Sequence, residues 1–242
     1  MAHALLIGGT KGLGKVVAND MSLRGDTVSI IGRNKSDFDS DNIHSYGVDI
    51  TDYDNIRNTI NKIIDKNGPL NYFIFLQRYR GGGDQWSGEI ETTLSATKNI
   101  VECVSSGFGD NDNCIIMVGS VFSRYVGEGQ ALSYHIAKAG LEQMMRYYAL
   151  NLGKKGVRVN GIMPFTFLKE ESKEFYFNNK ELMGLYEKIT PLDRMGATED
   201  CSNLIMFLCS PLASFITGQN ILIDGGMSLH WPESLVRNMN GI

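Results

Sequence analysis

Short apolar runs alternate with longer amphipathic stretches along most of this chain, and few architectures accept that rhythm. The runs at residues 4–7, 28–31, 72–76, 114–118 and 220–223 are almost entirely aliphatic or aromatic. A strand with one face in water alternates polar and apolar residues, whereas continuous apolar strands are covered on both faces. Two weaker strand-like stretches lie at 45–50 and 157–162. Helical periodicity covers 12–24, 53–66, 94–105, 131–153 and 198–209. Strands separated by helices pair in parallel through right-handed crossovers. The expected fold class is therefore α/β, a doubly wound parallel sheet with helices on both faces. In such sheets ligands sit at the carboxyl ends of the strands. The 242 residues suit a single domain over 1–242. Only 165–190 breaks the rhythm, with Lys169-Glu170-Glu171 and Phe175-Tyr176-Phe177 crowded together. It reads as a helical insertion, either a lid over the substrate or a solvated excursion.

The first strand runs into Gly8-Gly9-Thr10-Lys11-Gly12-Leu13-Gly14 and then a helix. Glycines permit a tight turn and close backbone approach, and a helix N-terminus supplies unpaired N–H groups with positive potential. That combination suits a dinucleotide pyrophosphate in a Rossmann-type fold, with Gly8, Thr10, Lys11, Gly12, Leu13 and Gly14 as expected contacts. An NAD site places an acid about 20 residues further on, where it holds the ribose hydroxyls. Here the second strand ends in Ile31-Gly32-Arg33-Asn34. No carboxylate there repels a 2′-phosphate, Arg33 can grip one bidentately, and Lys11 adds charge. Asp37 and Asp39 fall past the strand end. NADP(H) is the expected cofactor, with Arg33 and Asn34 at its adenosine end.

Tyr134 and Lys138 are four residues apart on one helix, which puts a phenol and an ammonium on one face. A cation beside a phenol favours the phenolate, so Tyr134 is the expected acid/base for a carbonyl or alcohol. Ser120 ends the apolar strand upstream, where its hydroxyl can bond the same carbonyl oxygen. A second Tyr-xxx-Lys, Tyr176 to Lys180, lies in 165–190 without a strand-Ser leader and is accidental on this reading.

The ordered set of glycine turn, Ser120, Tyr134-xxx-Lys138 and strand-ending Pro164 resembles the short-chain dehydrogenase/reductase family over essentially the whole chain. The turn is similar to that family's TGxxxGxG, with Ile7 in the Thr position. Residues 191–196 and 215–226 resemble the family's usual ending, most closely in the 3-oxoacyl-carrier-protein reductase branch. The resemblance implies that Ser120 polarises the substrate and that Tyr134 is the acid/base. Lys138 would lower the tyrosine pKa and bond the nicotinamide ribose. It further implies Asp49 and Ile50 beside the adenine, and contacts to the nicotinamide amide from Pro164, Thr166 and Phe167. Homodimers or homotetramers are expected on the same ground.

Some positions depart from that pattern. Phe75-Leu76-Gln77-Arg78 stands where the family carries Asn-Asn-Ala-Gly, which puts Gln77 among the expected cofactor contacts. Thr93 falls at the place of the family's active-site Asn and is expected to take its catalytic role, and Phe165 replaces a Gly. Two functions fit: an NADP(H)-dependent oxidoreductase, or a degenerate family member that binds NADP as a sensor or subunit. Arg78, Arg80 and Arg124 follow strands at the carboxyl edge, so the substrate is expected to be a small carbonyl or alcohol bearing an acid group. A net charge of −4 argues against a nucleic-acid partner, and no apolar run reaches the roughly 20 residues of a membrane span. The four cysteines and four histidines show no metal-ligand spacing, so no metal is expected. A strand opening at Ala2 leaves no room for a signal peptide, and a cytoplasmic location is expected.

Overall fold

A computed structural model describes residues 1–105, 107–109 and 112–240. The strands and helices follow in chain order. First come β1 (His3–Ile7), α1 (Gly12–Leu23), β2 (Thr27–Gly32), β3 (Ile43–Gly47), α2 (Tyr53–Asn67) and β4 (Tyr72–Phe75). Next are α3 (Gln85–Glu89), a π-helical turn (Ile90–Ser95), α4 (Ala96–Val104), β5 (Asn113–Val118) and α5 (Leu132–Leu152). After these come β6 (Val157–Pro164), β7 (Phe167–Leu168), α6 (Glu170–Asn178), α7 (Lys180–Ile189) and β8 (Gly196–Ala197). The chain closes with α8 (Thr198–Leu208), β9 (Asn220–Ile223) and α9 (Pro232–Asn240).

Seven strands form one parallel sheet in the order β3-β2-β1-β4-β5-β6-β9, the single-domain doubly wound arrangement expected. All five residues of β1 are buried, because alternate side chains enter two different cores. Leu5 and Ile7 pack with Phe73, Phe75 and Ile115 on the side covered by α2, α4 and α5. Ala4 and Leu6 pack with Ile74 and Ile116 on the side covered by α1 and α8. Truncating a fully buried ring such as Phe73 to Ala would cost about 3–5 kcal/mol. The chain leaves β1 toward β2 on one side and β4 on the other, so a crevice opens beyond Ile7, whose register partners are Ile31 and Phe75.

Three elements differ from expectation. β3 lies at Ile43–Gly47 instead of 45–50, since it pairs as an edge strand with β2 while Val48 and Ile50 enter the core beyond it. The helix expected from residue 94 begins at Gln85, where the Asp84 carboxylate caps it by accepting from Ser87 N at 2.8 Å. α9 went unanticipated. Within 165–190, Asn179 separates two helices, ending α6 and capping α7 through Leu182 N.

Candidate active site

The strand ends line a cleft of about 1110 Å³. Its floor is the glycine turn, where backbone packs on backbone. A Cβ on Gly14 would fall 2.6 Å from Gly9 Cα and 2.7 Å from Gly8 O, and Gly8 has φ +89° against the backbone of Gln77. Lys11 at the N-cap of α1 makes no side-chain cap, so the first-turn N–H groups face the cleft beside Gly12, Leu13 and Gly14. Such a cradle fits a pyrophosphate.

Thr10, Lys11, Arg33, Asn34 and Lys35 line the cleft where β2 ends, while Asp37 and Asp39 do not. Asp49 and Ile50 are on the same wall, and Asp49 accepts from Thr51 N at 3.0 Å and Thr51 Oγ1 at 2.8 Å. Those bonds hold its carboxyl below the ordinary carboxylate value, and Arg33's charge adds to the fall. Lys35 lies three residues past the end of β2, beyond the reach of a strand-end signal in the sequence.

At the other end of the cleft, β5 leads to Ser120 and α5 carries Tyr134, and the Ser120 hydroxyl acts on the Tyr134 phenol. Lys138 lies beneath: its Nζ is 5.6 Å from the Tyr134 ring centroid and donates to Val118 O at 3.0 Å. The intervening loop is pinned by Phe122, which meets the Tyr134 and His135 rings, and by Gly127 N donating to His135 Nε2 at 3.0 Å. Burial holds the Tyr134 phenol above its ordinary value; the Ser120 bond and Arg78's charge pull it down, and Glu89's charge pushes it up. Burial also brings the Lys138 ammonium down to about 8, opposed by Glu89 and reinforced by Arg78 and Lys169. The cations that act on the phenol thus include Arg78, which the Tyr-xxx-Lys spacing does not reveal. Its Cζ lies 5.2 Å from the Tyr134 centroid.

Thr93 is fully buried in the π-helical turn and is not on the cleft wall. Its hydroxyl donates to Glu89 Oε2 at 3.3 Å, and its carbonyl accepts from Thr97 Oγ1 at 2.7 Å. Gln77 edges the cleft but sends its amide nitrogen inward to Thr97 Oγ1 at 2.7 Å, which is how a long side chain fits beside the glycine turn. Glu89 is a buried carboxylate that sequence reasoning missed; its spacing of four from Thr93 was the available signal, hidden by the late helix start.

Pro164, Phe165, Thr166 and Phe167 follow β6 along the wall. Phe165 meets the Tyr186 ring of α7 edge-on, with centroids 6.1 Å apart, so this departure from glycine anchors the inserted helices. From the insertion, Lys169, Glu171, Ser172 and Tyr176 reach the cleft. Tyr176 and Lys180 sit in different helices, so the second Tyr-xxx-Lys has no shared face. Arg78 and Arg80 line the cleft, but Arg124 does not. The placement of Arg124 at the substrate is corrected: its guanidinium bonds Glu142 at 2.8 Å, because that buried carboxylate on α5 needs a cation. Among the described residues no group of three or more His, Cys, Asp and Glu could hold a metal, and the four cysteines are free thiols. Among the described residues no helix is long and apolar enough to cross a membrane.

The sequence profile of the family described as Enoyl-(Acyl carrier protein) reductase matches residues 8–228. The chain belongs to the short-chain dehydrogenase/reductase family. A 3-oxoacyl-[acyl-carrier-protein] reductase of Vibrio cholerae is 27% identical over 240 residues, 93% of this chain and 96% of that protein. The structure of a short-chain type dehydrogenase/reductase from Mycobacterium ulcerans is 26% identical with a TM-score of 0.81, over 95% of this chain and 90% of that one. A short chain dehydrogenase from Leptospira borgpetersenii, solved with bound NAD+, shares the fold at a TM-score of 0.78 and 22% identity, over 94% of this chain and 92% of that one. As a short-chain dehydrogenase/reductase nearest the 3-oxoacyl-carrier-protein reductase branch, the chain is an oxidoreductase that uses a nicotinamide cofactor on a small molecule.

Proposed function

We propose that this chain is an NADP(H)-dependent carbonyl reductase or alcohol dehydrogenase with Tyr134 as its acid/base. The carrying observation is the meeting of Ser120, Tyr134 and Lys138 on one cleft wall, with the Lys138 Nζ 5.6 Å from the Tyr134 ring centroid. When bound, the nicotinamide supplies or accepts the hydride. The first-turn N–H groups of α1 hold the pyrophosphate, and Arg33 with Lys11 and Asn34 holds the 2′-phosphate. Asp49 and Ile50 border the adenine, while Gln77, Pro164, Thr166 and Phe167 border the nicotinamide half. Ser120 donates to the substrate carbonyl oxygen. Tyr134 gives its proton to that oxygen in reduction and takes it back in oxidation. Lys138, tethered to the Val118 carbonyl, holds the nicotinamide ribose and keeps positive charge beside the phenol. Thr93, buried off the cleft wall, does not touch the substrate as a catalytic residue was expected to; its hydroxyl only bonds Glu89. Residues 165–190 act as a substrate lid, supported by the reach of Lys169 and Tyr176 into the cleft.

A homodimer or homotetramer is supported by the apolar outer face of α5, where Leu132, Ile136, Tyr147 and Leu150 are exposed. Light scattering tests it, and a monomeric mass rejects it. For the reaction, NADPH oxidation is followed against a panel of ketones, with cofactor fluorescence as the binding control. Turnover supports the reading. Tight NADPH binding without turnover of any ketone or alcohol overturns it in favour of a sensor or subunit.

A further inference from the structure

Arg78 and Arg80 leave the end of β4, and Lys169 comes from the other side of the cleft at the start of α6. All three side chains line the cleft, and both arginines act on Lys169: its ammonium is pulled below its ordinary value by burial first, then by the charges of Arg78 and Arg80. No ion pair involves either arginine among the described residues. The carboxylates on the cleft wall, Asp49, Glu91 and Glu171, are engaged elsewhere. Asp49 is bonded to Thr51, and Glu91 accepts from the Tyr53 hydroxyl. Glu171 raises Lys169 less than the arginines lower it, and it lies over Gly12 at the glycine turn. Like charges gathered with neither arginine ion-paired are unfavourable until an anion arrives.

The location says which anion. The Arg78 Cζ lies 5.2 Å from the Tyr134 ring centroid, so the cluster has its anchor beside the reacting group and not at Arg33 where β2 ends. The geometry points to an oxyanion site for the substrate, made by Arg78, Arg80 and Lys169, that selects carbonyl or alcohol compounds bearing a carboxylate or phosphate ester. This rests on the nicotinamide reading of the cleft and adds the substrate class to it. Guanidinium forks match either oxyanion bidentately, and Lys169 contributes a point charge from the lid. An acid group seated here would bring the lid residue and the β4 loop together over the reacting carbonyl.

The test begins with NADPH binding by fluorescence. Inorganic phosphate and acetate are then titrated calorimetrically into the NADPH-saturated protein, for wild type, Arg80→Ala, Lys169→Ala and, as a surface control, Lys62→Ala. Phosphate, acetate or both should bind wild type and the control equally, and about 10-fold more weakly to the other two variants, the loss expected for one charge-assisted contact. The stronger probe names the source: phosphate points to a phosphate ester, acetate to a carboxylate. In kinetics, kcat/KM for an acid-bearing ketone should exceed that for its neutral analogue at least about 10-fold, with the ratio collapsing in Arg80→Ala and Lys169→Ala. Anion binding that disappears on NADPH saturation assigns the three cations to the cofactor and overturns the proposal. Equal rates for acidic and neutral ketones overturn it too. If NADPH does not bind at all, the nicotinamide reading fails separately, and dependence of phosphate or acetate binding on Arg80 and Lys169 still decides the anion site.

Discussion

Glu89 and Thr93 lie one helical turn apart in the buried layer against α5, joined by a 3.3 Å hydrogen bond. The carboxylate acts on both Tyr134 and Lys138, raising each, while the Arg78 guanidinium lowers each. The acid/base pair is therefore set between two opposite charges. Glu89→Gln should lower both pKa values, so alcohol oxidation, which needs the phenolate, switches on at lower pH. Arg78→Ala should shift the same limb upward. In wild type, reduction should weaken as pH rises through about 8, where the Lys138 ammonium is lost. Profiles of kcat/KM against pH with a neutral substrate check all three. Parallel shifts in both variants contradict the opposed-charge account.

Cofactor choice turns on the end of β2. Arg33→Ala should weaken NADPH binding by about 1.5–3 kcal/mol, the range for a charge-assisted hydrogen bond, and barely change NADH binding. Titrating both cofactors into both proteins decides it. Wild-type affinity for NADH equal to that for NADPH goes against the assignment.

Tyr134→Phe should abolish turnover and leave NADPH binding within a few-fold. Tyr176→Phe should leave the chemical step intact, because Asn179 puts Tyr176 and Lys180 in separate helices. Single-turnover kinetics separates chemistry from binding in both variants. Loss of the chemical step in Tyr176→Phe would reverse the assignment.

Glu142 is another buried carboxylate, bonded by Ser123 and by Arg124 and Arg146. Burial alone would raise its pKa, but the two guanidinium groups and the hydroxyl outweigh it and bring the value from 4.5 to about 2. A depressed carboxylate stabilises the fold above its unfolded pKa, and that contribution is lost as pH falls through the folded value. Wild type should therefore lead Glu142→Gln at neutral pH by about 1–2 kcal/mol, since both guanidinium partners are half exposed and screened by solvent. The lead should shrink between pH 4.5 and about 2. Urea unfolding across that range measures the gap, and a pH-independent difference refutes the linkage.

What could be read in advance follows from where the information lies. β1 and β4 are continuous apolar runs, and the glycine turn is a local backbone requirement, so both were legible along the chain. That Ser120, Tyr134 and Lys138 would meet on the cleft was legible because strand end and helix face are local properties too. Arg124 was misplaced for the converse reason: it follows Ser120 closely, but its partner Glu142 is 18 residues away on another element. Lys169 became visible only when the insertion was seated on the cleft, and Glu89 only when the helix was known to start at Gln85.

Seating the insertion also brings an acid to the phosphate cradle. The Glu171 carboxylate lies 3.3 Å from where a Cβ on Gly12 would project, above the first turn of α1. A helix N-terminus attracts either a carboxylate or a pyrophosphate, and the two cannot share one place without repulsion. Glu171 is exposed, so its effect is that of a solvent-screened charge, about 1 kcal/mol or less. Glu171→Gln should tighten NADPH binding up to about 5-fold at low salt, with the gain fading as ionic strength rises. Fluorescence titration at two salt concentrations tests this. Weaker NADPH binding in the variant would mean that Glu171 positions a cofactor-holding cation instead of competing with the phosphates.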